Sequence, residues 1–186
     1  MSAYYAYGIP KPSRYGISFM GKGPTLALDR LSQAVYVNTG HFWRLLSMNC
    51  EKASFAASTL GTNPHRIHGP VREMPYEKLF SGDLSLSFRE DHVLSARQFF
   101  SEWQSIIYNN ETGDFNYYDD YVGDIEIMQD TSGPTQKNSS GMPLYGIRLK
   151  EVYPKNIHAL ELGYASKDSY QTQTVELAFR DWEPIR

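Results

Sequence analysis

The sequence predicts a mainly β protein of the α+β class, with one α-helix flanking antiparallel strands. Three observations carry this expectation. Apolar and polar residues alternate in short runs along most of the chain, most cleanly in Leu84-Ser85-Leu86-Ser87-Phe88-Arg89. Helical spacing is unambiguous in one stretch only, where Phe99, Phe100, Trp103, Ile106 and Ile107 recur every three or four residues. The 14 Tyr and 9 Phe among 186 residues suit strands and interfaces better than helix interiors. At this length one domain is expected, here residues 15–186 behind an arm of residues 1–14.

Taken in order, the arm holds Tyr4, Tyr5, Tyr7, Gly8, Pro10 and Pro12, which favour an extended segment over any periodic element. Tyr15 to Phe19 alternates as a strand, and Gly21-Lys22-Gly23-Pro24 stops it. Across Thr25 to Met48 the spacings of Leu26, Leu28, Leu31 and Val35 mix helix and strand and decide for neither; residues 21–47 stand as a possible insertion. Cys50 to Phe55 reads as a short strand. Thr59 to Pro75, with Gly61, Asn63, Pro64, Gly69, Pro70 and Pro75, reads as extended loop. After the strand at Asp83–Arg89, Ser95-Ala96-Arg97-Gln98 matches a capping box and starts the helix, which Asn109-Asn110 and Gly113 end. Four strands are then expected: Phe115–Tyr121 leading into Gly123–Gln129, then Tyr145–Lys150, His158–Leu162 and Thr174–Arg180. Between the first two of these, residues 130–143 form a polar loop too long for a tight turn.

Composition excludes several classes of function. With 18 Lys+Arg against 21 Asp+Glu, the formal charge of −3 offers no positive field for a large nucleic-acid footprint. No apolar run approaches the ~20 residues of a membrane span, and the Met1-Ser2-Ala3-Tyr4-Tyr5 start lacks the features of a secretory signal, so a soluble protein made in a cytoplasm is expected. The single cysteine, Cys50, reads as a buried thiol; His41 nearby lacks the orienting third group of a nucleophilic site. His65 and His68 have metal-ligand spacing, but Arg66 and Arg72 would repel a cation. Asp119, Asp120, Asp124 and Glu126 form an acidic cluster that reads either as a cation or glycosidase site or as the solvated face of a strand. Alternation puts Asp124 and Glu126 on the face opposite Ile125 and Ile127. Gly21-x-Gly23 lacks the remainder of a dinucleotide fingerprint. No catalytic residue, cofactor or metal ligand is assigned.

Several segments nevertheless stand in a familiar order. Cys50-Glu51-Lys52-Ala53-Ser54-Phe55, Arg66-Ile67-His68-Gly69-Pro70-Val71-Arg72-Glu73-Met74-Pro75-Tyr76 and Gly82-Asp83-Leu84-Ser85-Leu86-Ser87-Phe88-Arg89 are followed by Phe99-Phe100-x-x-Trp103. Then come Tyr117-Tyr118-Asp119-Asp120-Tyr121 with Asp124-Ile125-Glu126-Ile127, Tyr153-Pro154-Lys155-Asn156-Ile157, and Leu177-Ala178-Phe179-Arg180-Asp181-Trp182. Together, from about Met48 to Trp182, they resemble the tail tube proteins of contractile-tailed bacteriophages. The arm, residues 21–47 and the 130–143 loop depart from the plainest members of that family.

The resemblance implies two packed antiparallel sheets in a barrel or sandwich that joins its neighbours in a hexameric ring, with rings stacked inside a contractile sheath. Expected partners are other copies of the chain, the sheath, baseplate and tail terminator proteins, and phage DNA in transit. Membranes are not expected, and the protein would belong to the virion after assembly in the host cytoplasm. Leu84, Leu86, Ile125, Ile127, Leu160, Leu162, Val175, Leu177 and Phe179 would pack between the sheets or against the helix. Strand parity nominates Asp124, Glu126, Glu161 and Glu176 as acids lining the channel. The departing segments would serve contacts between rings or with the sheath. A baseplate ring that initiates the tube, and the tube of a type VI secretion machine, share this architecture. A carbohydrate-binding β-sandwich and a hydrolase using Asp119, Asp120 or Asp124 are the alternatives from other classes.

Overall fold

A single long strand organises the architecture. In the computed structural model, which describes residues 13, 15–34, 39–66, 68–130, 143–160, 162 and 170–185, the elements run β1 (Tyr15–Met20), α1 (Lys22–Ala34), α2 (Thr39–Asn49), β2 (Cys50–Ala53), β3 (Ala57–His65) and β4 (Arg72–Ser81). They continue with β5 (Leu84–Arg89), α3 (Ser95–Ile107), α4 (Tyr118–Tyr121), β6 (Gly123–Asp130), β7 (Pro143–Ile157), β8 (Thr172–Ala178) and β9 (Asp181–Ile185). Seven strands form one antiparallel sheet in the order β1-β6-β7-β8-β5-β2, with β9 also on β7; β3 and β4 form a separate two-stranded sheet. The first half of β7 lies between β6 and β9, and its second half pairs with β8.

Between these halves the ladder slips by one residue. Leu149 faces Ile125 and Val152 faces Gly123, so Lys150 and Glu151 together oppose Asp124. This is a β-bulge, which bends its strand. Glu151 takes a left-handed φ of 54° there, and its amide donates to Asp124 Oδ1 at 3.3 Å. The bend folds the sheet into two leaves, β1-β6-β7-β9 and β7-β8-β5-β2. Ile17, Phe19, Ile125, Ile127, Ile147 and Leu149 from the first leaf share one core with Leu84, Leu86, Phe88, Val175 and Leu177 from the second. The alternation expected in β5, β6 and β8 is therefore present, with apolar positions inward.

Among the described residues the sheet does not close on itself. Its end strands, β1 and β2, are bridged by side chains: Tyr15 Oη donates to the Cys50 carbonyl at 2.7 Å, and the Ile17 amide donates to Ser47 Oγ at 3.1 Å. Ser47 belongs to α2, so a helix end occupies the place where a closing strand would pair.

Helix content exceeds the single helix expected from the sequence. The described residues of 21–47 form α1 and most of α2 and enter the core through Ala27, Leu28, Leu31, Phe42 and Leu46, with Trp43 stacked on Phe19 at 5.9 Å. The start of α1 is tightly packed. A Cβ on Gly23 would lie 1.9 Å from the Tyr121 carbonyl oxygen and 2.7 Å from Trp103 Nε1, a place only glycine fits. Thr59–Pro75, expected as loop, instead lies largely in the β3–β4 hairpin, paired from Ala57–Ser81 to His65–Arg72. The strand expected at Phe115–Tyr121 is one bridge, Tyr108 to Phe115, followed by α4. His158 to Leu160 is not strand, since the β7–β8 pairing ends at Ile157–Val175, and Leu162 is 83% exposed rather than core. Phe179 and Leu160 are half-buried. β9 has no counterpart among the expected strands. Residues 1–12 and 14 of the arm, Glu161 and residues 131–142 lie outside the described residues.

The expected helix is α3, and Phe99, Phe100, Trp103 and Ile106 are buried as its spacing requires, with Ile107 half-buried. Its start differs from a capping box. Leu94, in a left-handed conformation, is the cap, and Ser95 already lies inside the helix. Two carboxylates satisfy the free amides. Asp91 Oδ1 accepts from the amides of Val93 and Ser95 at 3.1 and 2.9 Å, and Ser95 Oγ donates to Asp91 Oδ2 at 2.7 Å. Glu90 accepts from the amides of Ala96 and Arg97 at 3.3 and 2.9 Å. Burial pushes the Glu90 carboxyl up; for Asp91 burial works the same way, but the bonds from Ser95 and Val93 outweigh it and hold the group below its ordinary value.

Asp91 and Glu90 therefore act on stability in opposite senses. The Asp91 contribution is present above its unfolded pKa of about 3.9 and is lost as pH falls through the depressed native value. Ionised Glu90 costs stability near neutrality, and that cost is relieved as pH falls through its raised native value. Asp91→Asn is expected to lower stability at pH 7 and to flatten the acid limb of the stability curve below about pH 4, read by urea unfolding across a pH series. Trp103→Ala, which empties a fully buried site, is expected to cost ~3–5 kcal/mol. Gly23→Ala is expected to cost ~1–3 kcal/mol by overpacking, both measured by denaturant unfolding.

Candidate functional site

Two surfaces remain after the core is filled: the outer faces of the leaves and the elements that project from them. On the first leaf, side chains that point away from the core line up across four strands. Ser18 faces Glu126, Glu126 faces Arg148, and Arg148 faces Glu183. Arg148 Nε donates to Glu126 Oε1 at 2.8 Å, and a second guanidinium nitrogen shares that oxygen. The Glu126 side chain is only 14% exposed. Beside this row, Lys150 Nζ donates to Glu183 Oε2 at 2.7 Å, while Asp124 holds the bulge. The hydrogen bonds decide the ionisation: Glu126 raises the Arg148 pKa, and Lys150 and Glu183 raise and lower one another.

The second leaf differs. Its outer face carries Ser85, Ser87, Thr174 and Glu176, with Ser87 and Thr174 hydroxyls 3.1 Å apart and Glu176 bonded to Asn156 at 3.3 Å and His158 at 3.1 Å. Of the four nominated acids, the structure brings Asp124 and Glu126 together on one leaf, places Glu176 on the other, and leaves Glu161 outside the described residues. Glu183, Arg148 and Lys150 complete the charged face, although the sequence reading nominated none of them. Alternation in Tyr145–Lys150 puts Arg148 and Lys150 on its polar side, but cross-strand register cannot be read from one strand.

The projecting element is the β3–β4 hairpin. Its nine-residue arm β3 spans about 30 Å at ~3.3 Å per residue, and nearly every residue of both arms is exposed, including Leu60, Met74, Tyr76 and Leu79. Only its base is tied down: Phe80 meets Trp182 edge-on at 6.2 Å, Lys78 lies over both rings, and Trp182 Nε1 donates to the Ala57 carbonyl at 3.4 Å. A two-stranded ribbon with no third strand and no covered face is marginally stable alone. Strand edges are open as well. Among the described residues β9 pairs only with β7, and β2 only with β5.

The chemistry nominated from the sequence does not converge. Asp120 pairs with Lys22, Asp124 with a backbone amide and Glu126 with Arg148, so the acidic cluster is spread over α4 and β6 and held by separate partners. Among the described residues no group of three or more His, Cys, Asp or Glu could hold a metal ion. His65 and His68 sit at the far end of the hairpin. Burial pushes the Cys50 thiol up to about 11, which leaves it protonated and unreactive near neutrality. No helix among the described residues is long and apolar enough to cross a membrane.

Comparison with known proteins addresses this arrangement. The family described as phage tail tube protein matches residues 11–184. A search of curated protein sequences finds no significant match. Among solved structures, the chain is similar to one from the anti-feeding prophage cap, the tube-terminating cap, at 15% identity and a TM-score of 0.59 over 98% of both chains. It is also similar to one from the sheath/tube terminator of the PVC extracellular contractile injection system, at 13% identity and a TM-score of 0.58 over 97% of this chain and 98% of that one. A chain from the anti-feeding prophage baseplate matches at 13% identity and a TM-score of 0.56 over 96% of each. At such identities the likeness establishes the fold.

The ladder on the first leaf is expected to be asymmetric in its energetics. Arg148→Met strands the largely covered Glu126 carboxylate, whereas Glu183→Gln leaves Lys150 free to be hydrated. Arg148→Met should therefore destabilise the monomer more than Glu183→Gln, and a double-mutant cycle with Glu126→Gln should recover part of the loss, read by chemical denaturation.

Proposed function

The chain belongs to the phage tail tube protein family, and from that premise we propose that it is the tail tube subunit itself, six copies closing into a ring and stacked rings forming the channel for DNA inside a contractile sheath. It is a structural protein of the tail, not an enzyme. The observation that carries the finer reading is the uncovered hairpin. A ribbon with both faces in water, exposing Leu60, Met74, Tyr76 and Leu79, is stable only against something else, and a repeating assembly supplies identical neighbours to every copy. The open edges of β2 and β9 support the same reading, since backbone groups left unpaired in one subunit are satisfied when a strand of the next subunit joins them.

In this assembly the outer face of the first leaf lines the channel, bringing Asp124 and Glu126 inward together with Glu183. Six-fold repetition turns a few carboxylates into a ring of charge that opposes phosphate within about 8 Å at physiological salt. Arg148 and Lys150 do not undo this, because each is already held by a carboxylate and a phosphate would have to break that pair to bind. The wall is thus polar, well hydrated and non-adhesive toward DNA. Glu176, on the hydroxyl-rich second leaf, then faces away from the channel. Sheath, baseplate and terminator proteins are the partners expected outside and at the ends, and the finished assembly is part of the virion.

Electron microscopy of the purified chain tests this reading. A trunk subunit is expected to polymerise alone into long hollow tubes of stacked rings, whereas a terminating or baseplate ring would stop at one or two layers. Deleting residues 58–80 with a short linker is expected to leave a folded monomer, by circular dichroism and unfolding, that no longer assembles; tubes of normal length from that variant would refute the role given to the hairpin. Replacing Glu126 and Glu183 by Lys in assembled tubes is expected to make them retain double-stranded DNA in a low-salt pull-down, which the natural tubes should not do.

A further inference from the structure

The far end of the hairpin and the connection between α3 and α4 are opposite in charge and equally uncovered. From Asn63 to Arg72 the chain contains Arg66, Arg72, His65 and His68 and no acid, and the adjoining Glu73, opposite Pro64, accepts a hydrogen bond from Thr62 Oγ1 at 3.3 Å. Among the described residues neither arginine is engaged by a carboxylate. From Tyr108 to Tyr121 the reverse holds: Glu111, Asp114, Asp119 and Asp120 occur with no Lys or Arg, and only Asp120 is matched by a cation, Lys22. Within that connection Phe115 is 75% and Tyr117 84% exposed.

This second segment is a built knob. The Asn109 amide donates to the Asp114 carbonyl at 3.0 Å, the Gly113 amide to Asn109 at 2.8 Å, and the Asn116 amide to Ile107 at 3.0 Å. Tyr108 and Phe115 rings meet 5.0 Å apart. Aromatic rings are thus held outward in a preset geometry, ringed by free carboxylates. A guanidinium is the side chain that matches such a surface, since its plane stacks on an aromatic face while its edge donates to a carboxylate. Within one molecule the knob and the hairpin share no hydrogen bond, ion pair or ring contact among the described residues, which leaves both surfaces to a second copy.

We infer that the Asn63–Arg72 end of the hairpin of one copy docks on the Tyr108–Asp119 knob of a second copy in the adjacent ring, Arg66 and Arg72 pairing with Glu111, Asp114 or Asp119 over Phe115 and Tyr117. Different patches on the two copies make the contact head-to-tail, the class that propagates openly and is compatible with stacking without limit. This inference rests on the tube-subunit reading and adds the identity of the two mating surfaces.

A charge swap tests it. The variants R66E/R72E and E111K/D114K/D119K change only exposed positions, and circular dichroism and unfolding verify that each is folded. At a protein concentration at which the natural chain forms tubes, each variant alone is expected to give at least tenfold fewer tubes by electron microscopy and sedimentation, while native mass spectrometry still detects single rings. An equimolar mixture is expected to restore tubes, because the acidic hairpin of one variant meets the basic knob of the other in alternating rings. Tubes of normal number from either variant alone, or no recovery in the mixture, would overturn the docking while leaving the tube-subunit reading intact. A natural chain that stays monomeric under all conditions would instead overturn that reading and this inference with it.

Discussion

The bulge at Lys150–Glu151 is the constraint on which the rest of the molecule depends. Without the extra residue, β7 would continue straight as a 15-residue strand and its two halves would lie in one plane. With it, the sheet becomes two leaves whose apolar faces enclose a shared interior, and α3 fills that interior with Phe99, Phe100 and Trp103. The left-handed Glu151 is held by Asp124 across the ladder and by an ion pair with Arg180 in the bend between β8 and β9. Groups on two other segments thus fix one unfavourable backbone conformation, the condition under which such strain persists.

The helices are arranged around the same point. Trp103 donates its indole N–H to the Tyr121 carbonyl at 2.7 Å, and Gly23 donates its amide to Val122 at 3.2 Å. The starts of α1 and β6 and the middle of α3 therefore meet in one place just beyond the bulge. Close approach of backbones, not side-chain volume, is what requires glycine there. At the other end of α3, Glu90 and Asp91 close the amides with charge. The aromatic stripe is in this way fixed at its N-terminus by electrostatics and along its length by packing.

What the fold leaves uncovered is as informative as what it buries. Core demands are met within the chain, yet a long ribbon, two strand edges and an aromatic knob remain in water. Apolar and hydrogen-bonding surface of this kind is costly to a free monomer and useful to a polymer, where neighbouring copies cover it. Its charges follow a different logic. On the outer face of the first leaf cations are paired with anions, whereas the cations at the hairpin end and the anions of the knob have no such partners among the described residues. Paired charge suits the non-adhesive wall proposed above, and unpaired charge of opposite sign on two patches suits the proposed docking.

Strand identity and polarity were legible in the sequence wherever one face is buried and the other wet, because a two-residue period survives without knowledge of neighbours; β5, β6 and the start of β7 are of this kind. So was the stripe of α3, and so was the family likeness. Segments whose burial comes from unusual neighbours were not legible. α1 and α2 pack on a sheet and on α3 at once, which blurs their period, and the hairpin's Pro and Gly content imitates a loop because its strands answer to no core. By itself, then, the sequence determined the class of fold, the inward residues of the regular strands and the family likeness. Only the tertiary structure decided that Asp124 holds a bulge, that Glu126 is paired with Arg148, and that Glu176 belongs to the other leaf, since these depend on register between strands far apart in the chain, and register is a property of the folded sheet alone.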